Sequence, residues 1–248
     1  MVWSPLQPLS LIQGIPHPCS YVEDGRMAGA LFLYDVEVMN GALYQDLMAM
    51  GFRRSGSEIY RPLCGGHGAG CYDCVPMRLP VARFHPSRNL KQVTRRNSDL
   101  VVTRHPIHFD GAHFQLYQNY LATRHGGGPM DNPDPEAYWQ FVWSPWLETM
   151  LVTFHQQQQL LMVAVVDFLP DSLSAVYTFF DPLASRQRSL GSYAILWQIA
   201  EAARLNKSWL YLGYWVDNSR KMQYKARFQP SEIYRSGRWL PWPVPAVG

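Results

Sequence analysis

The stretch from Leu173 to Trp215 constrains the fold more than any other part of the chain. Leu-Ser-Ala-Val-Tyr-Thr-Phe-Phe (173–180) is rich in β-branched and aromatic residues and lies between Asp171 and Asp181-Pro182, which predicts a strand. A polar loop, Ser185 to Ser189, follows and carries Arg186 and Arg188. Gly191 then opens a helical pattern, with Ile195, Ile199 and Ala202 on one face and Gln198, Glu201 and Arg204 on the other. After Asn206-Lys207 the run Trp209-Leu-Tyr-Leu-Gly-Tyr-Trp215 is a second strand. Strand, turn, helix, strand describes a crossover that makes the two strands parallel neighbours, right-handed by the usual rule. Simple alternation along the second strand puts Tyr211, Gly213 and Trp215 on one face and Leu210, Leu212 and Tyr214 on the other.

A chain of 248 residues can bury a large core in one or two domains, and 47% hydrophobic with 17% charged residues excludes wholesale disorder. No apolar run is long enough to span a bilayer, and Met1-Val-Trp-Ser-Pro5 has no basic region ahead of an apolar core. These features predict a cytoplasmic protein with no membrane partner. Of 22 basic residues only Lys91, Lys207, Lys221 and Lys225 are lysine; the rest are arginine, the better residue for two-point contacts to phosphate and carboxylate. A net charge of +3 permits an RNA partner without requiring one.

Upstream, Leu43, Leu47 and Met50 have helical spacing and stop at Gly51. Gly51-Phe-Arg53-Arg54-Ser-Gly56 places two arginines between glycines. All four cysteines fall early: Cys19, Cys64, and the pair Cys71-Tyr-Asp-Cys74, whose two-residue spacer lets both thiolates face one ion. In a reducing compartment such a cluster suits a tetrahedral zinc ion or an iron–sulfur cluster, with His67 able to replace one sulfur; unligated thiols are the alternative. Val75 to Val81, interrupted by Pro76 and Pro80, predicts an edge strand or extended connection. Arg88 to Asn97 predicts a helix, Leu100 to Thr103 a strand, and Phe114, Tyr117 and Leu121 a helix. Glu136 to Trp143 predicts a short helix, and residues 151–154 and 160–167 a hairpin around Gln156 to Gln159. We place a domain boundary at 98, an α/β (α+β) mixed-sheet domain over 99–240, and a disordered, proline-rich tail over 241–248. No serine or cysteine triad, zinc-protease helix or lysine-ended phosphate loop is present.

Taken in order, these motifs resemble those of the bacterial aminoacyl-tRNA–protein transferases, the aspartate/glutamate leucyltransferases, which are related to the arginyl-tRNA–protein transferases. The resemblance rests on Gly51-Phe-Arg-Arg-Ser-Gly56, Tyr60-Arg-Pro62, Cys71-x-x-Cys74-Val-Pro-x-Arg78, Arg95-Arg-Asn-x-Asp-Leu100 and Arg124-His125. It continues through Leu173 to Pro182, Arg188-Ser-Leu-Gly191, Tyr211-Leu-Gly-Tyr-Trp215 and Lys221-Met-x-Tyr-Lys225. It implies an N-terminal cysteine module followed by an acetyltransferase-like (GNAT) domain. The reaction implied is transfer of leucine from leucyl-tRNA to proteins beginning with Asp or Glu, which marks them for N-degron proteolysis. One departure is plain: the family's tight run of cysteines is stretched here to Cys64-x₆-Cys71.

Under that resemblance Arg53, Arg54 or Arg78 would grip the acidic side chain, and Tyr177, Asp181, Tyr211 and Tyr214 would handle the amine proton and the oxyanion. Arg186, Arg188, Lys221 and Lys225 would meet tRNA phosphates, a contact that weakens with salt. Gly191 belongs to the tract Arg188-Ser-Leu-Gly-Ser-Tyr193, which resembles a worn acyl-CoA pyrophosphate loop with bulky Tyr193 at its last position. The reaction needs no cofactor, and any zinc ion or iron–sulfur cluster on Cys19, Cys64, Cys71 and Cys74 would be structural or regulatory. Alternatives are an arginyl-tRNA–protein transferase, a CoA-dependent N-acetyltransferase, a peptide-bridge ligase and a non-enzymatic tRNA-binding adaptor.

Overall fold

Strand pairing sorts the chain into a small sheet built from its first quarter and a large sheet that draws on the rest. The computed structural model describes residues 9–22, 24–34, 36–64, 71–124, 133–216, 219 and 222–243. The first part contains β1 (Leu11–Gln13), β2 (His17–Pro18), β3 (Met27–Ala28), β4 (Ala30–Leu33), α1 (Gly41–Ala49), β5 (Arg53–Ser55) and β6 (Glu58–Pro62). Strands β1, β4, β6 and β5 form an antiparallel sheet in that order, and β2 pairs with β3. Helix α1 begins where the side-chain oxygen of Asn40 accepts hydrogen bonds from the amides of Ala42 and Leu43, and it is followed by Gly51 at φ +90°. Its buried face, Leu43, Tyr44, Leu47 and Met48, packs with Phe52 and Ile59.

The second part runs through β7 (Val75–Pro80), α2 (Arg88–Arg96), β8 (Val101–Pro106), α3 (Gly111–Arg124) and α4 (Pro135–Val142). It continues with β9 (Thr149–Gln156), β10 (Gln159–Phe168), β11 (Ser172–Phe180), α5 (Pro182–Arg188) and α6 (Leu190–Arg204). β12 (Trp209–Trp215), β13 (Ser231–Arg235) and β14 (Arg238–Trp242) complete it. Eight strands make one mixed sheet in the order β14-β13-β7-β12-β11-β10-β9-β8. Only β11 and β12 run parallel, as the crossover through α6 requires. Both faces are covered, so β10 is apolar almost throughout. Met162, Ala164 and Val166 face the cluster that holds Leu190, Ala194, Ile195 and Ile199 of α6, while Val163 and Val165 face Tyr117 and Leu121 of α3 and Tyr138 of α4. Each such aliphatic side chain, fully buried, contributes roughly 1.5–3 kcal/mol.

The structure corrects several expectations. Strand β7 is not an edge: it lies between β13 and β12. Its prolines flank Met77 and Arg78, the two residues that pair with β13, and stand opposite Tyr214 and Trp209 in the ladder to β12. β7 belongs to the large sheet, whose strands therefore span Val75 to Trp242. The predicted polar loop at 185–189 is mostly α5, started by Asp181 as cap and Pro182 in its first turn. The expected disordered tail starts too early, since β14 extends to Trp242; residues 244–248 lie outside those described. On α6, Gln198 and Glu201 are buried, although the helical pattern put them on a polar face.

Candidate active site

Strands β11 and β12 pair over only three positions, Ser172 with Trp209, Leu173 with Leu210 and Ser174 with Tyr211, and then part. Both depart from regular register at that point. The ladder of β10 to β11 shifts between Val165 and Val166, leaving Val176 unmatched, and that of β12 to β7 shifts between Tyr211 and Gly213. Gly213 takes φ +79°, a conformation costly for residues with a Cβ. The irregularity reverses the alternation read from the sequence. Leu210, Leu212 and Trp215 share the α6 side, whereas Tyr211 packs on the side of α1 and Tyr214 sits against Tyr60 of β6.

Two cations occupy this parting. Arg53, projecting from β5, donates from Nη2 to the carbonyl of Ala175 at 3.1 Å. Lys225, on the 3₁₀ turn Gln223–Arg227, donates from Nζ to the carbonyl of Tyr214 at 2.7 Å. A Cβ at Gly213 would lie 3.5 Å from Arg53 Nη2 and 3.6 Å from Lys225 Nζ. Arg53 is 6% exposed and Lys225 7%, and neither has a carboxylate partner among the described residues. Burial, and then the charge of Arg53, pulls the Lys225 ammonium down to about 7. Positive charge buried without a counter-ion is costly, and its remedy is an anion.

Three phenols, Tyr21, Tyr60 and Tyr214, lie within electrostatic reach of Arg53. Tyr214 donates to the Gly51 carbonyl at 3.4 Å, and its ring lies 6.2 Å from that of Tyr60. Tyr21 lies within electrostatic reach of Tyr60, Cys74, Cys19 and Arg53, and also of Tyr177. Burial raises the pKa of Tyr21, Tyr60, Tyr177 and Tyr214, so each stays protonated at neutral pH. The Tyr177 hydroxyl and the Ser174 hydroxyl are buried without a hydrogen-bond partner among the described residues.

The other expected site residues are held elsewhere. Arg54 is fully paired: Nε and Nη2 reach the two oxygens of Asp167 at 2.8 and 2.6 Å, and the remaining donors go to Gly56, Val142 and Thr149. It ties β5 to β10 and has no group left for a substrate. Arg78 lies 2.7 Å from Glu232, with Trp209 and Trp239 against its guanidinium at 3.6 and 4.2 Å. Tyr211 packs at 5.8 Å on that same Trp239. Asp181 is the cap of α5, accepting from the amides of Leu183 and Ala184. Arg188 pairs with Asp99 at 2.7 Å, while Arg186 is exposed on α5 without an ion pair among the described residues. Gly191 packs closely on Phe180: a Cβ there would meet its ring at 3.2 Å, a tight contact. Lys225 is buried and not placed for surface phosphates, and Lys221 and His67 lie outside the described residues. The burial of Lys225 is not legible in the sequence, because an i, i+4 lysine pair looks like an exposed face.

The four cysteines are unpaired and partly exposed. They converge on Cys74, whose thiol is pushed up to about 12 by burial and then by Cys64, Cys19 and Cys71. Arg26 links this group together, with Nη1 3.2 Å from Cys71 Sγ and 2.9 Å from Asp73. The donor set fits a thiophilic metal or cluster in type and number, although among the described residues no three sulfurs lie within 4.8 Å of one another.

Models of the arginine-tRNA-protein transferase family match this chain, the N-terminal part over residues 17–92 and the C-terminal part over residues 112–235. A curated aspartate/glutamate leucyltransferase of Nitrosococcus oceani is 48% identical over 90% of this chain and 92% of its own length. That of Chromobacterium violaceum is 42% identical over 92% of each. Among solved structures, L-PGS from Bacillus licheniformis matches 57% of this chain and 45% of its own at 9% identity, with a TM-score of 0.45. The two family matches and these curated relatives make the chain an aminoacyl-tRNA–protein transferase. Within that class the chain is a member of the aspartate/glutamate leucyltransferase family. No helix among the described residues is long and apolar enough to cross a membrane.

Proposed function

We propose that this enzyme transfers leucine from leucyl-tRNA to the α-amine of proteins that begin with Asp or Glu, and that Arg53 and Lys225 receive the acidic side chain. One observation carries the second part: two buried cations meet at Gly213 with no carboxylate among the described residues to neutralise them. A substrate carboxylate supplies that missing charge, and an uncharged side chain does not. Arg54 and Arg78 support the pocket from outside, since each already has its own carboxylate.

In the transfer, the amine nitrogen attacks the carbonyl carbon of the aminoacyl ester. A C–N bond forms, the bond to the terminal ribose oxygen breaks, and the proton lost by the nitrogen is taken up, in net, by that oxygen. The ester is already activated, and a free α-amine has a pKa near 7.7–8.0, so the enzyme's main tasks are positioning and stabilising an oxyanion. Tyr177 fits the oxyanion role better than that of base. Its phenol is held protonated by burial, and its hydroxyl has no partner among the described residues, so its O–H can donate to a substrate oxygen. The parting of β11 and β12 supports the acetyltransferase-like reading of the domain, with a tRNA terminus where a pantetheine arm would otherwise lie.

Cys19, Cys64, Cys71 and Cys74 are the residues that would hold a zinc ion or iron–sulfur cluster. Bound there, it would tie together the segments beside Tyr21; no part of the transfer is routed through it. The enzyme acts where aminoacyl-tRNA is made, in the cytoplasm, and its products enter the N-degron pathway.

The test is transfer of labelled leucine or arginine from charged tRNA to matched peptides beginning with Asp, Glu or Ala. Leucine incorporation into the Asp and Glu peptides alone is expected. Arginine incorporation would overturn the donor, and equal labelling of the Ala peptide would overturn the carboxylate pocket. In Lys225→Met the KM for acidic peptides should rise at least ten-fold, with a smaller change for the Ala peptide. A loss of stability without that shift in preference would make Lys225 a packing residue.

A further inference from the structure

The connection from β8 to α3 reads His108-Phe-Asp110-Gly-Ala-His113, and nothing in the transfer reaction uses it. One ring nitrogen of His108, one of His113 and a carboxylate oxygen of Asp110 all lie within 4.8 Å of one another. Two of the three donors are oriented by the backbone. His108 Nδ1 is 2.9 Å from the Pro106 carbonyl; donating there leaves the lone pair on Nε2. Asp110 Oδ1 accepts from the amides of Ala112 and His113 at 2.7 and 3.1 Å, which leaves its second oxygen uncommitted. His113 is 5% exposed, and its Nδ1 is buried with no hydrogen-bond partner among the described residues. The His105 ring lies 6.0 Å from that of His108, with its Nε2 held 3.3 Å from Thr153 Oγ1.

A helix cap with stacked imidazoles explains Asp110 and the ring contacts. It leaves the buried Nδ1 of His113 unexplained, and it places no lysine or arginine in an ion pair with Asp110 among the described residues. We infer that the β8–α3 connection is a binding site for a divalent transition-metal ion of the zinc type, held by His108, Asp110 and His113. Two imidazoles and one carboxylate suit zinc and its neighbours, whereas calcium and magnesium prefer oxygen ligands throughout. An ion there would pin the edge strand β8 to the first turn of α3. The donors belong to elements other than those bearing the four cysteines, so this would be a second and chemically different site.

Cobalt(II) is the probe, because thiolate ligation gives an ultraviolet charge-transfer band that imidazole and carboxylate ligation does not. The metal-free full-length chain would be titrated beside His108→Gln, Asp110→Asn and Cys71→Ser/Cys74→Ser. Asp110→Asn keeps the oxygen that caps α3, so it guards against a loss caused by misfolding. We expect both connection variants to bind one equivalent at least ten-fold more weakly than the wild type, with the thiolate band unchanged. The cysteine variant should keep that equivalent and lose the band. Equal affinity and stoichiometry in the wild type and both connection variants would overturn the site. Binding that needs millimolar metal would overturn it as well.

Discussion

Arg53 Nη2 and Lys225 Nζ come within 3.5 and 3.6 Å of the same point, the place a Cβ would occupy on Gly213. Gly213 therefore answers two demands at once: it adopts φ +79° where β12 breaks register, and its Cβ position lies at ordinary van der Waals distance from both cations, so that any shift of its backbone is felt by both. Gly213→Ala should cost about 1–2 kcal/mol through its backbone alone. It should also slow transfer to acidic peptides. Thermal melting together with kcat/KM checks this, and an alanine variant with full stability and rate would show that neither demand is real.

Lys225 makes stability depend on pH. Its ammonium is held at about 7 in the folded chain, against 10.5 when exposed. Between those values the unfolded chain holds the extra proton, so stability rises with pH; the cost of burying Lys225 is complete below about pH 7 and is relieved above it. Lys225→Met removes the titration. Its advantage over the wild type should shrink by roughly 2–3 kcal/mol between pH 6 and pH 9 in denaturant titrations. A difference independent of pH would mean the side chain is not buried as described.

The Arg54–Asp167 pair, with both side chains fully buried, holds β5 against β10. Removing one partner strands the other's charge, so Arg54→Ala should cost about 3–5 kcal/mol. The double variant Arg54→Met/Asp167→Leu should recover much of that. If the double variant loses as much as the two single ones added together, the two residues are not coupled.

Asp181 offers a clean separation of roles. As the cap of α5 its replacement by alanine should cost about 1 kcal/mol and leave kcat within a few-fold of the wild type. As a general base its loss would lower kcat by about 10²–10⁴. Single-turnover transfer at saturating charged tRNA distinguishes the two.

Much of the scaffold was legible in the residues themselves. Alternation and β-branching located β9 through β12, helical spacing located α1, α3 and α6, and the strand–helix–strand order required β11 and β12 to run parallel. The motifs carried the family. The site was only half legible, because arginine and tyrosine in a motif do not say which partner they will meet. Arg53 and Arg54 are adjacent and chemically identical, yet pleating sends one to Ala175 at the parted strands and the other to Asp167.

What the sequence determined by itself was local: element type from periodicity, the stop at Gly51, and the order of strands through the crossover. What only the tertiary structure decided depends on distant residues meeting. Arg78 and Glu232, far apart in the chain, meet as an ion pair that no local pattern announces. Lys225 becomes a buried, easily neutralised amine because β12 loses register at Gly213, and no periodicity predicts a register break. A charge takes its function from its neighbours and its exposure, and both are set by packing.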